Sequence, residues 1–261
     1  MSNEETKSQE NDLPESWRMA NELREDIGNG RFRPGEKLPS QRELATRYGV
    51  VRSTAAKAVK ILEAEGLIDT LSKSGSRVRT KQRLFRLGSE RYSNKLREQT
   101  GLSPFRAEVE KQGKTPSTKC TSITKEAPPS EIAERLRIST EEPVVRRENW
   151  YFADDVPVQV GVTFIPVQVA EDSPLEDSTN LGKGSLYGRF EDKGYVITWI
   201  REEISSRMPT ADETKRLEVP AGVPIIEVVH TGLDQEKEPF EVTVFRMRSD
   251  LNGLDYEIKV N

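Results

Sequence analysis

The chain has 261 residues, but only one cysteine, Cys120, and one histidine, His230. A single thiol excludes an intramolecular disulfide, and one thiol with one imidazole cannot supply a four-ligand zinc site. At most one imidazole is left for a Ser-His-Asp or Cys-His centre, and no local motif surrounds it. The same scarcity rules out His/Cys metal clusters in general; the expectation is a protein that holds no metal or cofactor and is not an enzyme. Long apolar runs are also missing: none approaches the ~20 residues of a membrane span. Met1 to Asp12 is polar, with no apolar signal region and nothing to bury, so residues 1–13 are expected to form a disordered tail. A soluble, cytoplasmic protein with no membrane partner is the expectation.

Net charge is small as well, −4 from 40 Lys+Arg against 44 Asp+Glu, but it is unevenly spread. Pro14 to Arg83 holds 15 basic and 9 acidic residues, leaving 25 and 35 for the rest. Within that part, Pro14 to Gln41 balances at 5 and 5, so the excess lies in Arg42 to Arg83, at 10 against 4. A basic segment on an acidic protein is the electrostatic footprint of a polyanion site, unless it is only a solvated helix face.

The pattern in this segment favours the polyanion. Pro14 to about Asn29 is predicted as a helix with Trp17, Ala20, Leu23 and Ile27 at helical spacing and Gly28 and Gly30 as its stop. Ser40-Gln-Arg-Glu43 is a capping box opening a second helix, with Leu44, Ala45 and Tyr48 on one face and Gly49 at its end. A third helix, about Ser53 to Glu65, carries Ala55, Ala58, Val59 and Leu62 on its apolar stripe and ends at Gly66. Leu67 to Thr70 and Ser76 to Thr80 are predicted as short strands around a Ser-Lys-Ser-Gly tip. Helix, helix, tight turn, helix and basic hairpin make a winged helix-turn-helix. It presents Arg52, Ser53 and Thr54, at the start of the third helix, to a major groove. Arg52 can fork onto guanine or phosphate, and the hydroxyls and helix dipole suit phosphate oxygens. The alternative is a three-helix bundle in which Ser53 or Thr54 is a plain N-cap.

Gly30-Arg-Phe-Arg-Pro-Gly-Glu-Lys-Leu-Pro-Ser-Gln-Arg-Glu-Leu-Ala45, Gly49-Val-Val-Arg-Ser-Thr54 and Leu62-Glu-Ala-Glu-Gly-Leu-Ile68 resemble the DNA-binding domain of the GntR family of bacterial transcription regulators. The resemblance covers about Trp17 to Thr80. It implies DNA contacts from Arg42, from Arg52, Ser53 and Thr54, and from the wing glycine, here Gly75; Lys57, Lys73 and Arg77 join them as basic neighbours. The family usually has Ser or Thr where this chain has Val51, and often Arg where it has Ala56. Lys57 or Lys60 would partly replace that arginine, and the operator is expected to differ from common family sites.

Residues 81–113 are charged and mixed, with a helix expected between Arg83 and Gln99, and form the expected linker. Beyond it, strands predominate. A helix is predicted at Pro128 to Leu136 with Ser130 as N-cap, and hairpins at Val144–Phe152/Val156–Ile165 and Val223–Gly232/Phe240–Arg248. Ser185 to Lys193 is a short helix, Tyr195 to Ser206 a strand, and Thr210-Ala-Asp-Glu213 a second capping box. Tyr256 to Val260 is a closing strand. This order gives an α+β antiparallel-sheet domain over 114–261, beside the helical domain of 14–80.

Asp155-Val-Pro-Val158 with Ile165-Pro166, Gly184-Ser-Leu-Tyr187, Val219-Pro-Ala-Gly-Val-Pro-Ile225 and Glu238-Pro-Phe-Glu241 resemble the UTRA domain. This is the chorismate-lyase-like effector domain of the HutC subfamily within GntR regulators. The resemblance implies a small polar or anionic effector. Ser185, at a helix start beside Tyr187, is a phosphate or carboxylate candidate or else a plain N-cap. Glu241 and, more weakly, Glu202 are candidates for ligand hydroxyls or amines. Sugar-phosphate-binding relatives carry arginines where this chain places Asn149 and Tyr151, and a glutamate where it has Gly161; Arg147 lies nearby. Trp150, Phe152, Phe164 and Trp199 are pocket or core residues. The expected function is a repressor that binds a palindromic operator as a homodimer, at the nucleoid, under effector control. The alternative is a constitutive repressor whose second domain only dimerises. An enzyme of the chorismate-lyase type lacks a nucleophile–base pair here.

Overall fold

The computed structural model describes residues 13–71, 75–79, 84–87, 91 and 100–257. The chain forms two compact units: Met1–Gln82 with Val219–Val223, and Arg83–Glu218 with Pro224–Asn261. Among the described residues no helix is long and apolar enough to cross a membrane.

The first unit contains helices α1 (Glu15–Gly28), α2 (Gln41–Tyr48) and α3 (Arg52–Ala64), then the antiparallel strands β1 (Ile68–Leu71) and β2 (Gly75–Val78). Met19, Ala20 and Leu23 of α1 bury against Leu44 of α2, Ala55, Val59 and Leu62 of α3, and Ile68 and Val78 of the hairpin. Trp17, expected on the apolar stripe of α1, is 45% exposed; Met19 takes the inward position instead. The capping box of α2 is complete. Ser40 Oγ accepts the Glu43 amide at 3.3 Å, and the Glu43 carboxylate accepts the Ser40 amide at 2.7 Å. Gly49 then turns the chain with φ 64°, in the left-handed region glycine enters without a Cβ clash.

In the second unit, β3 (Leu84–Leu87) is followed by α4 (Pro104–Lys111), β4 (Pro116–Glu126), α5 (Ser130–Leu136), β5 (Val144–Ala153), β6 (Val156–Pro166) and the single turn α6 (Val167–Ala170). The chain continues through α7 (Ser185–Asp192), β7 (Trp199–Arg207), α8 (Ala211–Arg216), β8 (Ile225–Leu233), β9 (Pro239–Arg248) and β10 (Asn252–Asp255). Six strands form one antiparallel sheet in the order β4-β5-β6-β9-β8-β7, while β10 and β3 pair in parallel.

Several expectations are corrected. Residues 84–87 are a strand rather than part of a helix, because Leu84 to Leu87 finds a partner strand at Asn252 to Asp255. The rest of that predicted helix lies largely outside the described residues. Of the strand expected at Tyr256 to Val260, Tyr256 and Glu257 are not in a strand and the rest lies outside the described residues; the last strand described is Asn252–Asp255. Pro129 is the N-cap of α5, and Ser130 is its first helical residue with no capping bond. The Thr210 capping box opens α8 as expected.

Candidate DNA interface and ligand cleft

Helix α3 begins differently from its neighbour. Its N-cap is Val51, in extended conformation with no side-chain capping bond, and its first turn carries no acid. A helix start without a cap leaves orphan amides and the positive end of the dipole open to an anion. Arg52 and Ser53 are exposed there and Thr54 is half-buried, while Ala55 anchors the turn in the core. Lys57 is exposed one turn further along, and Arg42 is exposed on α2.

The hairpin adds exposed Gly75 and Arg77. Gly75 has φ 79°, and a Cβ there would lie 3.2 Å from Lys37 Cε, so the position favours glycine on two counts. Lys37 bridges to Arg77 across the hairpin edge, and Arg77 Nη1 donates to the Gly35 carbonyl at 3.3 Å. Lys37 is thus an exposed cation beside the wing that the sequence pattern did not single out. Its position in Gly35-Glu-Lys-Leu, paired to a basic strand, was the available signal. Lys73 lies outside the described residues.

One face of the large sheet forms the floor of a cleft of about 610 Å³, counting its open mouth. Asn149 and Tyr151 of β5, Thr163 of β6 and Thr243 and Phe245 of β9 make the floor. Ser103 to Phe105 at the start of α4, Thr118 of β4, Ser185 to Tyr187 at the start of α7, Leu181 and Arg91 close it in. Period-two alternation places these strand residues on one face. Gly161 pairs with Asn149 on one side and Phe245 on the other. A Cβ at Gly161 would come within 3.0 Å of the Phe245 ring and 3.2 Å of Tyr151, so the missing side chain makes room for these rings. Tyr151 meets Phe105 edge-on at 5.0 Å and lies 6.3 Å from Phe245. Burial, the largest influence, pushes the Tyr151 phenol up to about 12, so it stays protonated as a donor.

Among the described lining residues the only charged one is Arg91, which pairs with the buried carboxylate of Glu108. Of the predicted effector residues, Asn149, Tyr151, Ser185 and Tyr187 line the cleft; Arg147, Glu202 and Glu241 do not. Arg147 shares the floor's face but is fully buried, and its guanidinium donates to the carbonyls of Leu175 at 2.7 Å and Ser178 at 2.6 Å. It fastens a loop. Ser185 is the first residue of α7, in the left-handed region at φ 54°, behind an N-cap of Gly184; its hydroxyl does not cap the helix. Trp150 and Phe164 project from the other face and are buried, and Trp199 is 53% exposed under the Lys237 ammonium. Ser103, Phe105, Thr118, Thr163, Thr243 and Phe245 are among the lining residues sequence reasoning missed, with Arg91, Pro104, Leu181 and Leu186.

Glu202 and Glu241 instead hold His230. The fully buried imidazole places Nε2 2.9 Å from a Glu241 oxygen and Nδ1 3.3 Å from Glu202. Arg86 of β3 reaches Glu202 at 2.5 Å, the Tyr256 hydroxyl also donates to Glu202, and the Tyr187 hydroxyl lies 3.4 Å from Nε2. Burial is the largest influence on His230 and lowers its pKa, as Arg86 also does. The Glu241 charge and the bonds to both carboxylates outweigh them and raise it above 6.5. Thr243 donates to Glu241 at 2.8 Å and lies 2.8 Å from the Thr163 hydroxyl, so the cleft floor and the ion cluster are hydrogen-bonded together.

Comparison with known proteins bears on both regions. The UTRA domain family model matches residues 111–251, and the model described as bacterial regulatory proteins, gntR family, matches residues 16–78. The HTH-type transcriptional regulator GgaR of Escherichia coli is 24% identical over 234 residues, covering 90% of this chain and 87% of that protein. The HTH-type transcriptional repressor NagR of Bacillus subtilis is 25% identical over 232 residues, covering 88% of each. The crystal structure of PhnF from Mycobacterium smegmatis shares the fold, with a TM-score of 0.59 at 20% identity over 93% of this chain and all of that one.

Proposed function

Because the chain belongs to the UTRA-domain family and carries a gntR-family helix-turn-helix ahead of that domain, we propose that it is a repressor that binds a palindromic operator as a homodimer, released or engaged by a small molecule in the cleft. Transcription regulation by DNA binding, rather than catalysis, is the common property of its relatives. The observation that carries the reading is the start of α3: exposed Arg52 and Ser53 at an uncapped helix end with no acid beside it. Arg42, Arg52, Ser53, Thr54, Lys57, Lys73, Gly75 and Arg77 are the proposed DNA contacts, within a DNA-binding domain of residues 14–80. Residues 81–113 are the connecting stretch, of which β3 and α4 pack in the second unit, and 114–261 the effector and dimerisation domain, in a protein of the cytoplasm that works at the nucleoid. Two copies would set their recognition helices ~34–36 Å apart, one helical turn of DNA.

The cleft supports a neutral, polar effector over a phosphorylated one. Its floor offers the Asn149 amide, the Tyr151 phenol and threonine hydroxyls, and the one charged residue among the described lining residues already has a carboxylate partner. The same observation favours a second reading, a constitutive repressor whose sheet domain only dimerises. Selection of genomic fragments by the purified protein, followed by footprinting, tests the main reading. Two protected half-sites one turn apart are expected, and no enrichment over random DNA would refute specific repression. Screening small metabolites against the protein–operator complex separates the readings: a ligand that alters operator affinity excludes the constitutive one.

A further inference from the structure

Among the described helices two open on a capping box and the rest, α3 included, on residues that make no side-chain capping bond. Ser40 and Thr210 each complete a full capping box, satisfying the orphan amides of α2 and α8. Helix α3 has an N-cap that can make no such bond, Val51, and that valine is 68% exposed. Its neighbour Val50 explains why one valine belongs here, since it packs against the core of the first unit. Val51 does not: it is a branched apolar side chain standing in solvent at the one place where Ser, Thr, Asp or Asn stabilises a helix most. Folding alone disfavours it on both counts.

The side chain stands directly before Arg52 and Ser53, both exposed, at the end of the helix whose N-terminal residues meet base edges in a helix-turn-helix complex. The major groove offers one apolar feature, the C5-methyl group of thymine, and small apolar side chains read it by contact. We propose that Val51 is a specificity residue that packs on a thymine methyl in each operator half-site, next to the base or phosphate held by Arg52. The inference rests on α3 being the recognition helix. It explains why Val51 is the most exposed large hydrophobic side chain among the described residues: its methyls are covered only when DNA is bound.

The test removes the methyl and nothing else. In the half-site selected by the full-length protein, each thymine is replaced in turn by 2′-deoxyuridine, and affinity is measured for the wild-type protein and for Val51→Ala and Val51→Ser. Burial of one methyl-sized group predicts a loss of roughly fourfold at one position per half-site for the wild type. Val51→Ala and Val51→Ser should bind the thymine and uracil sites alike, and Val51→Ser should also melt at a higher temperature through its restored cap. The proposal is overturned if every wild-type replacement stays within twofold, if the half-site holds no thymine, or if Val51→Ala keeps the discrimination. Failure to select any site would instead remove the DNA-binding reading on which the proposal stands.

Discussion

Replacing His230 by glutamine tests the buried ion cluster quantitatively. The imidazole faces Glu241 at 2.9 Å and Glu202 at 3.3 Å, with Arg86, Tyr187 and Tyr256 around the pair. Glu202 keeps Arg86 and Tyr256 in the variant, so the loss falls on Glu241, which is fully buried and retains the Thr243 hydroxyl. Breaking a buried pair costs about 3–5 kcal/mol. The expected loss at pH 7 is about 3–5 kcal/mol, or roughly 6–20 °C in the melting of a unit this size. Linkage supplies the sign with pH. The His230 pKa is raised, so the wild-type stabilisation is full below 6.5 and fades as pH rises through the folded value, a dependence the glutamine variant lacks. The penalty should thus shrink as pH rises. Urea unfolding followed by Trp150 and Trp199 fluorescence, in a Trp17→Phe background, reads the second unit. A loss under about 1 kcal/mol at pH 7, or a penalty that grows as pH rises, would refute a charged His230 clamp.

Three other outcomes are expected. Gly161→Ala should push the Phe245 and Tyr151 rings toward the cleft and weaken any ligand found by screening at least tenfold, while leaving operator affinity of the free protein within twofold; calorimetry and footprinting check both. Glu148 is held down to about 2: burial, the largest influence, raises it, but hydrogen bonds from Trp150, Arg216, Arg146 and Thr121 prevail. Its stabilisation, about 1–2 kcal/mol after solvent screening, should be present above pH 4.5 and lost as pH falls toward 2, and Glu148→Gln should flatten that part of the acid-unfolding curve. Arg52→Ala should lose about 1–3 kcal/mol of discrimination at one base position if its fork meets guanine, and weaken all sequences equally if it meets phosphate; binding to a panel of single-base operator variants distinguishes them.

Local chemistry made the helical unit legible in the sequence. Ser40 with Glu43, Gly49 and the stripe Ala55, Ala58, Val59 and Leu62 are signals carried within a few residues, and each stands where it was expected. Trp17 was misplaced because a helical stripe defines a face only to within a residue or so, and Met19 fits the inward position. The cleft was half legible. The family resemblance pointed to Asn149 and Tyr151, which alternation places on one face, but nothing local says that β9 lies beside β6, so Thr243 and Phe245 could not be added. Arg147 has the parity of a cleft residue, and only the distant carbonyls of Leu175 and Ser178 turn its head away. Glu202 and Glu241 looked like ligand carboxylates because their shared partner, His230, sits on a strand between them in space and not in sequence.

The polar residues of the sheet floor also answer a question of alignment. Strand β6, from Val158 onward, is buried on both faces, so sliding it by two residues against its neighbours would exchange one valine for another at little cost. Yet Arg147, Thr163, Thr243, His230 and Glu202 stand opposite one another in an unbroken row across five strands. Any slip would strand a buried imidazole, carboxylate or hydroxyl against hydrocarbon, and each such mismatch is far dearer than a misplaced methyl. The row therefore works as a key cut into an otherwise featureless lock. A chain with valines at Thr163 and Thr243 would keep its core volume and lose the polar match that marks the pairing of β6 with β9.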